Sequence, residues 1–276
     1  MFLVVGANGQ LGNELKLILQ DRAVYVDKDE LDITDKQAVE TFMNKQSFEA
    51  IINCAAYTAV DKAESDEVLA TLINVDGPRN LAACGLPIVH ISTDYVFDGT
   101  NSKPYNEEDK PNPQTVYGRT KLASEKAVLE TAETAIVIRT AWLYSTFGNN
   151  FVKTMRRLGA ERKSLSVVFD QVGTPTYAAD LARAIVTILP QMKKGMKEIY
   201  HFTNEGVCSW YDFTIAIHEL AGVQNCRVRP ISSEEYVYKT PRPHYSVLDK
   251  SKFKKTFGVE IPYWMDGLKR CMKHLQ

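Results

Sequence analysis

The first half of the chain alternates short apolar runs, rich in branched residues, with longer stretches in which apolar positions recur every three or four residues. Phe2 to Gly6, Ala23 to Val26, Ala50 to Cys54, Pro87 to Ser92 and Ala135 to Arg139 read as strands. Leu11, Leu15, Ile18 and Leu19 share one face of a helix over Gln10 to Gln20, and further helices are expected over Asp35 to Lys45, Glu64 to Ala83 and Thr115 to Glu130. The strands are nearly continuous in apolar residues rather than alternating, so both faces must be covered, as in a parallel sheet flanked by helices. Strict strand and helix alternation points to βαβ units and a doubly wound α/β core over residues 1-140. After Thr140 the rhythm loosens. Trp142, Gly148-Asn149-Asn150-Phe151, Gly173-Thr174-Pro175-Thr176 and Pro241-Arg242-Pro243 punctuate shorter elements, which predicts a smaller lobe over 141-276 with some segments returning to the core.

Charge and cysteine usage narrow the class of partner. Lys+Arg number 33 against 34 Asp+Glu, and neither sign is concentrated in one stretch, which argues against nucleic acid. No apolar run approaches the roughly 20 residues that cross a bilayer. Met1 leads directly into Phe2-Leu3-Val4-Val5-Gly6 without a signal-peptide pattern, so a cytoplasmic protein is expected. The five cysteines are scattered and suit reduced thiols. Cys271 and His274 have no second ligand pair, and the position four after His218 is Gly222, so no metal site is expected.

Chemistry begins at the end of the first strand. Gly6-Ala7-Asn8-Gly9-Gln10-Leu11-Gly12 opens a helix directly after a strand, which brings backbone N–H groups and a helix N-terminus toward a pyrophosphate. The core is therefore read as Rossmann-like, with a dinucleotide on this loop. Asp27 ends the second strand, where a carboxylate can accept from the adenosine ribose, while the adjacent Lys28 suits a 2′-phosphate. Asp32 either lies near the adenine or caps the N-terminus of a helix near Thr34.

Tyr117 and Lys121 stand one turn apart on one face of a predicted helix. An ammonium about 4 Å from a phenol, at an effective dielectric near 20, contributes about 4 kcal/mol, enough to lower its pKa by two to three units. The expectation is a phenol tuned by Lys121 to move a proton near neutral pH. Ser92 and Thr93 place hydroxyls at the carboxyl end of the fourth strand, where such sheets bind ligands, and either can donate to a substrate oxygen.

The glycine loop, Ser92-Thr93 and Tyr117-x-x-x-Lys121 together resemble the extended short-chain dehydrogenase/reductase family. Asn53 to Glu64, Ser92 to Asp98, Tyr117 to Lys121 and Gly148 to Phe151 are most similar to its dTDP-4-dehydrorhamnose reductase branch. The resemblance implies NADPH-dependent reduction, NADH also being accepted, of the C4 ketone of a nucleotide-linked sugar, dTDP-4-dehydro-β-L-rhamnose, for cell-surface polysaccharide. It implies Thr93, Tyr117 and Lys121 as catalytic residues. It places the cofactor against Gly6, Asn8, Gly9, Gln10, Leu11, Gly12, Asp27, Lys28, Asp32, Ala55, Ala56 and Tyr57, with Tyr117 and Lys121 at its nicotinamide end. Substrate contacts are expected from Thr58, Val60, Asp61, Thr93, Asp94, Tyr95, Trp142, Asn150 and Arg242, the last set in a Pro-bounded loop and suited to a diphosphate. Monomer and homodimer are both compatible with it.

Two departures stand out. Arg242-Pro243-His244-Tyr245-Ser246 carries Tyr245 where the family usually has Asn, and Ala179 falls where some relatives place an acidic ligand to an interface metal. The Asp-Glu pair that related dehydratases carry after the strand-four Thr is replaced by Asp94-Tyr95, which removes elimination chemistry. A reductase or epimerase of another 4-keto-6-deoxy sugar, and a non-catalytic dinucleotide-binding subunit, stay open at this point.

Overall fold

The computed structural model describes residues 1–237 and 240–275. Six parallel strands form the central sheet. In spatial order they are Lys197–His201, β5 (Ala135–Thr140), β4 (Ile88–Thr93), β3 (Ala50–Asn53), β1 (Phe2–Val5) and β2 (Ala23–Val26). The strand order reverses between β1 and β3, the switch point at which such sheets open a crevice. The apolar stripe of α1 (Gln10–Leu19) packs with the helix Ala178–Ile188 on one face, through Leu11, Leu15, Leu181 and Ile185. Val39 of α2 (Lys36–Met43), Leu81 and Val128 cover the other face. This two-sided burial explains why the strands lack polar alternation. The sixth strand, drawn from far along the chain, shields β5 from being an edge.

One expected helix is broken. The stretch Glu64 to Ala83 is occupied by a helix over Glu67–Thr71, a π turn over Leu72–Asp76 and a helix over Gly77–Ala82. Pro78 is the physical reason: it has no N–H for the Asn74 carbonyl, and its ring crowds that carbonyl. The turn widens, and Gly77 N donates instead to the Leu72 carbonyl five residues back.

Beyond β5, the helices Phe151–Glu161, Trp210–Ala221 and Trp264–Lys273 enclose a second core around Tyr144, Phe213, Trp264 and Leu268. A parallel pair, Ser164–Val168 with Arg227–Ile231, flanks it. Among the described residues no helix is long and apolar enough to cross a membrane.

Candidate active site

Two depressions lie at the carboxyl ends of the sheet strands. The first, of about 520 Å³, is walled by Gly6, Asn8, Gly9, Asp27, Lys28 and Asp32 on one side and by Ala55, Ala56, Leu69 and Leu72 on the other. Its floor depends on missing side chains. Gly6 has φ +78°, and a Cβ there would sit 2.6 Å from the Ala55 backbone nitrogen, while one on Gly12 would sit 2.4 Å from the Gly6 carbonyl oxygen. The strand-to-helix turn therefore comes close to β3 without steric cost, leaving a cradle of backbone into which a dinucleotide fits.

Asp27 braces that turn. Its Oδ2 accepts from Asn8 N at 2.9 Å and its Oδ1 from Lys28 N at 2.9 Å, so the carboxylate is fixed at the rim of the cleft. Asp32 lines the same cleft and also accepts from Thr34 N and Oγ1, at 3.0 and 2.7 Å. It therefore forms a turn and is not the helix cap expected near Thr34; that cap is Asp35, one turn on. Gln10 and Leu11 turn their side chains away: Leu11 is core, and Gln10 Nε2 donates to the Leu143 carbonyl at 3.4 Å. Tyr57 is held by Asn74 on the π turn. Tyr57 N donates to Asn74 Oδ1 at 2.8 Å, and Asn74 Nδ2 donates to Thr120 Oγ1 on the helix Val116–Thr131 at 3.0 Å. One buried amide thus ties the Ala55–Tyr57 wall to the helix that carries Tyr117 and Lys121.

That helix starts at the cap Thr115, whose Oγ1 accepts from Gly118 N at 2.9 Å. Tyr117 is hydrogen-bonded to Thr93 at the end of β4, and burial pushes its phenol up to about 12. The expected tuning by Lys121 is absent. The Lys121 Nζ is buried and donates to the Ile91 carbonyl at 2.6 Å, and burial pushes its ammonium down to about 8 against the opposing charge of Glu125. Desolvation sets the direction of the phenol's shift and the Lys121 ammonium, turned to Ile91, does not oppose it, so the simple Coulomb expectation fails. Thr93, rather than Lys121, is the neighbour that eases the phenol's deprotonation.

Beneath Lys121 lies an uncharged His90. Asn53 Oδ1 accepts from Ala55 N at 3.1 Å, which turns Asn53 Nδ2 toward His90 Nδ1, 3.1 Å away. Nδ1 must then accept, and the ring proton sits on Nε2, 2.7 Å from Ser124 Oγ. Burial and the Lys121 charge hold this imidazole well below its ordinary range. With its proton on Nε2 the ring offers Lys121 no acceptor, which explains why the ammonium engages a backbone carbonyl. Ser92, the other candidate hydroxyl, donates to Glu125, which is paired bidentately with the buried Arg139 at 2.8 and 2.7 Å. That commitment leaves Thr93 as the hydroxyl beside Tyr117.

The second depression, of about 580 Å³, is lined by Asp94, Tyr95, Trp142, Trp210 and Arg242. The Tyr95 ring meets Tyr117 edge-on at 5.5 Å. Arg242 Nη2 donates to Asp61 Oδ1 at 2.8 Å across 181 residues of sequence, closing one side. Thr58 is exposed, and Val60 is half-buried at the start of the short helix Val60–Ala63. Trp142 adopts φ +48° and stacks on Trp210 with centroids 3.4 Å apart, a left-handed backbone held in place by the stack. Asn150 serves as the cap of the helix Phe151–Glu161, its Oδ1 accepting from Lys153 N at 3.1 Å and its Nδ2 donating to Gln10 and to the Ser145 carbonyl. Its polar atoms are spent inside the chain. Tyr245 packs beside Tyr105 in a small separate cluster, so the departure from Asn adds core rather than a cavity wall. Sequence reasoning missed Trp210, Phe151 and Met155 of the cavity and Asn74 and His90 behind the cleft. The only sequence cue available for the π turn at Asn74 was Gly77-Pro78.

Sheet, glycine turn and paired depressions define a dinucleotide-dependent oxidoreductase on a Rossmann-like fold. The chain belongs to the family described as the RmlD substrate binding domain, which matches it over residues 1–276. It is 41% identical over 290 residues to a dTDP-4-dehydrorhamnose reductase of Aggregatibacter actinomycetemcomitans, covering 99% of each chain. The solved dTDP-4-dehydrorhamnose reductase of Clostridium acetobutylicum superposes with a TM-score of 0.95 at 44% identity, covering 100% of this chain and 99% of that one. The Bacillus anthracis enzyme, solved in complex with NADP, gives 0.94 at 40% identity and covers 99% and 98%.

Proposed function

We propose that this protein reduces the C4 ketone of dTDP-4-dehydro-β-L-rhamnose to dTDP-L-rhamnose with NADPH, acting in the cytoplasm as a monomer or homodimer. The observation that carries the reading is the Thr93 hydroxyl at the end of β4 set against the Tyr117 phenol, where it eases loss of the phenolic proton. Lys121, close enough to bear on the Cys54 thiol, lies behind the cleft, and Asp94-Tyr95 lead into the cavity. NADPH supplies the hydride when bound. Gly6, Gly9, Gly12 and the α1 N-terminus would hold its pyrophosphate, with Asp27 and Lys28 at its ribose. Tyr117 supplies the proton to the developing alkoxide, and a phenol pushed up to about 12 keeps that proton until the oxygen demands it. Thr93 orients the phenol. Lys121, still largely charged at neutrality, would hold the nicotinamide ribose from behind the cleft. Asp94, Tyr95 and Trp142 shape the sugar end of the cavity, and Arg242 offers a fixed guanidinium to the diphosphate. The test is to incubate the protein with a dTDP-4-keto-6-deoxyhexose pool, an epimerase and NADPH and to identify the sugar by NMR. dTDP-L-rhamnose is the expected product. A different C4 configuration, or no NADPH oxidation, overturns the assignment.

A further inference from the structure

Asp94, so far only part of the cavity wall, is a buried carboxyl whose proton the reaction has not yet used. It is 3% exposed, its Oδ1 accepts from Thr93 Oγ1 at 3.0 Å, and its Oδ2 has no hydrogen-bond partner among the described residues although the residue lines the cavity. A buried carboxylate oxygen without a donor is costly, and protonation removes most of that cost. Thr93 is at the same time hydrogen-bonded to Tyr117. The three side chains therefore form a continuous file, Asp94 to Thr93 to Tyr117, running from the cavity wall to the phenol.

We propose that Asp94 is the proton reservoir of the site, reloading Tyr117 through the Thr93 hydroxyl. The inference rests on the reductase reading above. As Tyr117 gives its proton to the substrate oxygen, the phenolate takes the proton of Thr93 Oγ1, and Thr93 Oγ1 takes the proton of the Asp94 carboxyl. The chain ends as neutral tyrosine, neutral threonine and aspartate, and the aspartate takes a proton from water when product leaves. One proton enters and one is consumed per hydride transferred, so the charges balance.

The surroundings suit that role. Burial pushes the Asp94 carboxyl up to about 7, with Thr93 and the uncharged Ser246 drawing it the other way. The titratable groups around it are Tyr95 on its own segment and Tyr117 on the facing helix. Arg242, paired with Asp61, bears on Tyr95 from the far side of the cavity. When Asp94 is ionised, the Thr93 O–H is drawn to it and the Tyr117 O–H turns toward Thr93, away from substrate. A protonated Asp94 reverses that polarity. Turnover should therefore decline as pH rises through about 7.

The test is the pH profile of Asp94→Asn, which keeps the size of the group and an acceptor for Thr93 but carries no transferable proton. We expect kcat to fall about ten-fold or more with KM nearly unchanged, and the decline near neutrality to vanish. A loss confined to KM, or a variant that keeps the wild-type pH profile, overturns the relay. Should Asp94→Asn not fold, wild-type kcat in mixtures of H2O and D2O decides: a bowed dependence is expected for several protons in flight, and a straight line overturns it. Thr93→Val, with no hydroxyl to pass a proton, should lose the decline near neutrality, and Thr93→Ser, which retains one, should still show it whatever its turnover; a Thr93→Ser profile as flat as that of Thr93→Val also counts against the relay. A wild-type protein that oxidises no NADPH would instead sink the reductase reading itself.

Discussion

The cofactor cleft and the substrate cavity are of similar volume, about 520 and 580 Å³, and are built by opposite means. The floor of the cleft is backbone: glycines that admit close approach, the open N-terminus of α1, and one carboxylate that braces the turn. The glycines and the brace of that floor all fall between Gly6 and Asp27. The cavity is mostly side chains, Tyr95, Trp142, Trp210 and Arg242, delivered from four distant segments. Shape made by backbone tolerates few substitutions but is written locally, whereas shape made by side chains can be revised one residue at a time. The molecule thus separates an invariant task, holding a dinucleotide, from an adaptable one, selecting a sugar.

The sharpest test of that division lies at Tyr117. Tyr117→Phe keeps the ring and its edge contact with Tyr95 while deleting the acid. Kcat should fall by at least about 10²-fold with NADPH affinity nearly intact, measured by steady-state kinetics beside fluorescence titration. Turnover within a few-fold of wild type would mean that another group protonates the oxygen. On the cleft side, Gly6→Ala forces a side chain into φ +78° and against the Ala55 backbone. We expect NADPH binding to weaken about ten-fold or more with a lowered melting temperature, since about 1.4 kcal/mol of misplacement suffices for that factor. Unchanged NADPH binding would remove the backbone cradle from the account.

The same contrast explains what could be read before folding. The glycine triplet, the strands and the Tyr117–Lys121 spacing obey short-range rules, and all five early strands lie within a residue or two of their expected bounds. Trp210 gave no cue, because its stack on Trp142 joins segments 68 positions apart, and the left-handed backbone at Trp142 is stabilised only by that tertiary contact. Lys121 was misread for a related reason. Helical spacing brings it to the face of Tyr117, but the direction of its ammonium is decided by the Ile91 carbonyl and by a His90 tautomer fixed through Asn53. Asn150 looked like a substrate ligand and is engaged as a cap, since its polar atoms find partners first within the chain.

On the cavity side, Arg242→Lys should raise KM several-fold with a smaller change in kcat, as loss of binding common to substrate and transition state produces. A planar guanidinium can hold Asp61 and phosphate together, whereas an ammonium offers neither the reach nor the paired geometry. An unchanged KM would make the Asp61–Arg242 contact a strut of the loop and nothing more.

The smallest effect discriminates within the cleft itself. Lys28 is exposed at the rim and its backbone is fixed by Asp27, so its ammonium has reach but no rigid partner. Asp27 can serve a ribose hydroxyl in either cofactor, whereas only the 2′-phosphate of NADPH calls for the cation. An exposed ion pair of this kind contributes about 1 kcal/mol at most and weakens as salt screens it. Lys28→Ala should accordingly weaken NADPH binding about five-fold at low salt, less at 0.5 M, and leave NADH almost untouched. Equal losses with both cofactors would move Lys28 away from the ribose, and any preference for NADPH would then have to come from the backbone of the cleft, the part of the site least open to change by side-chain substitution.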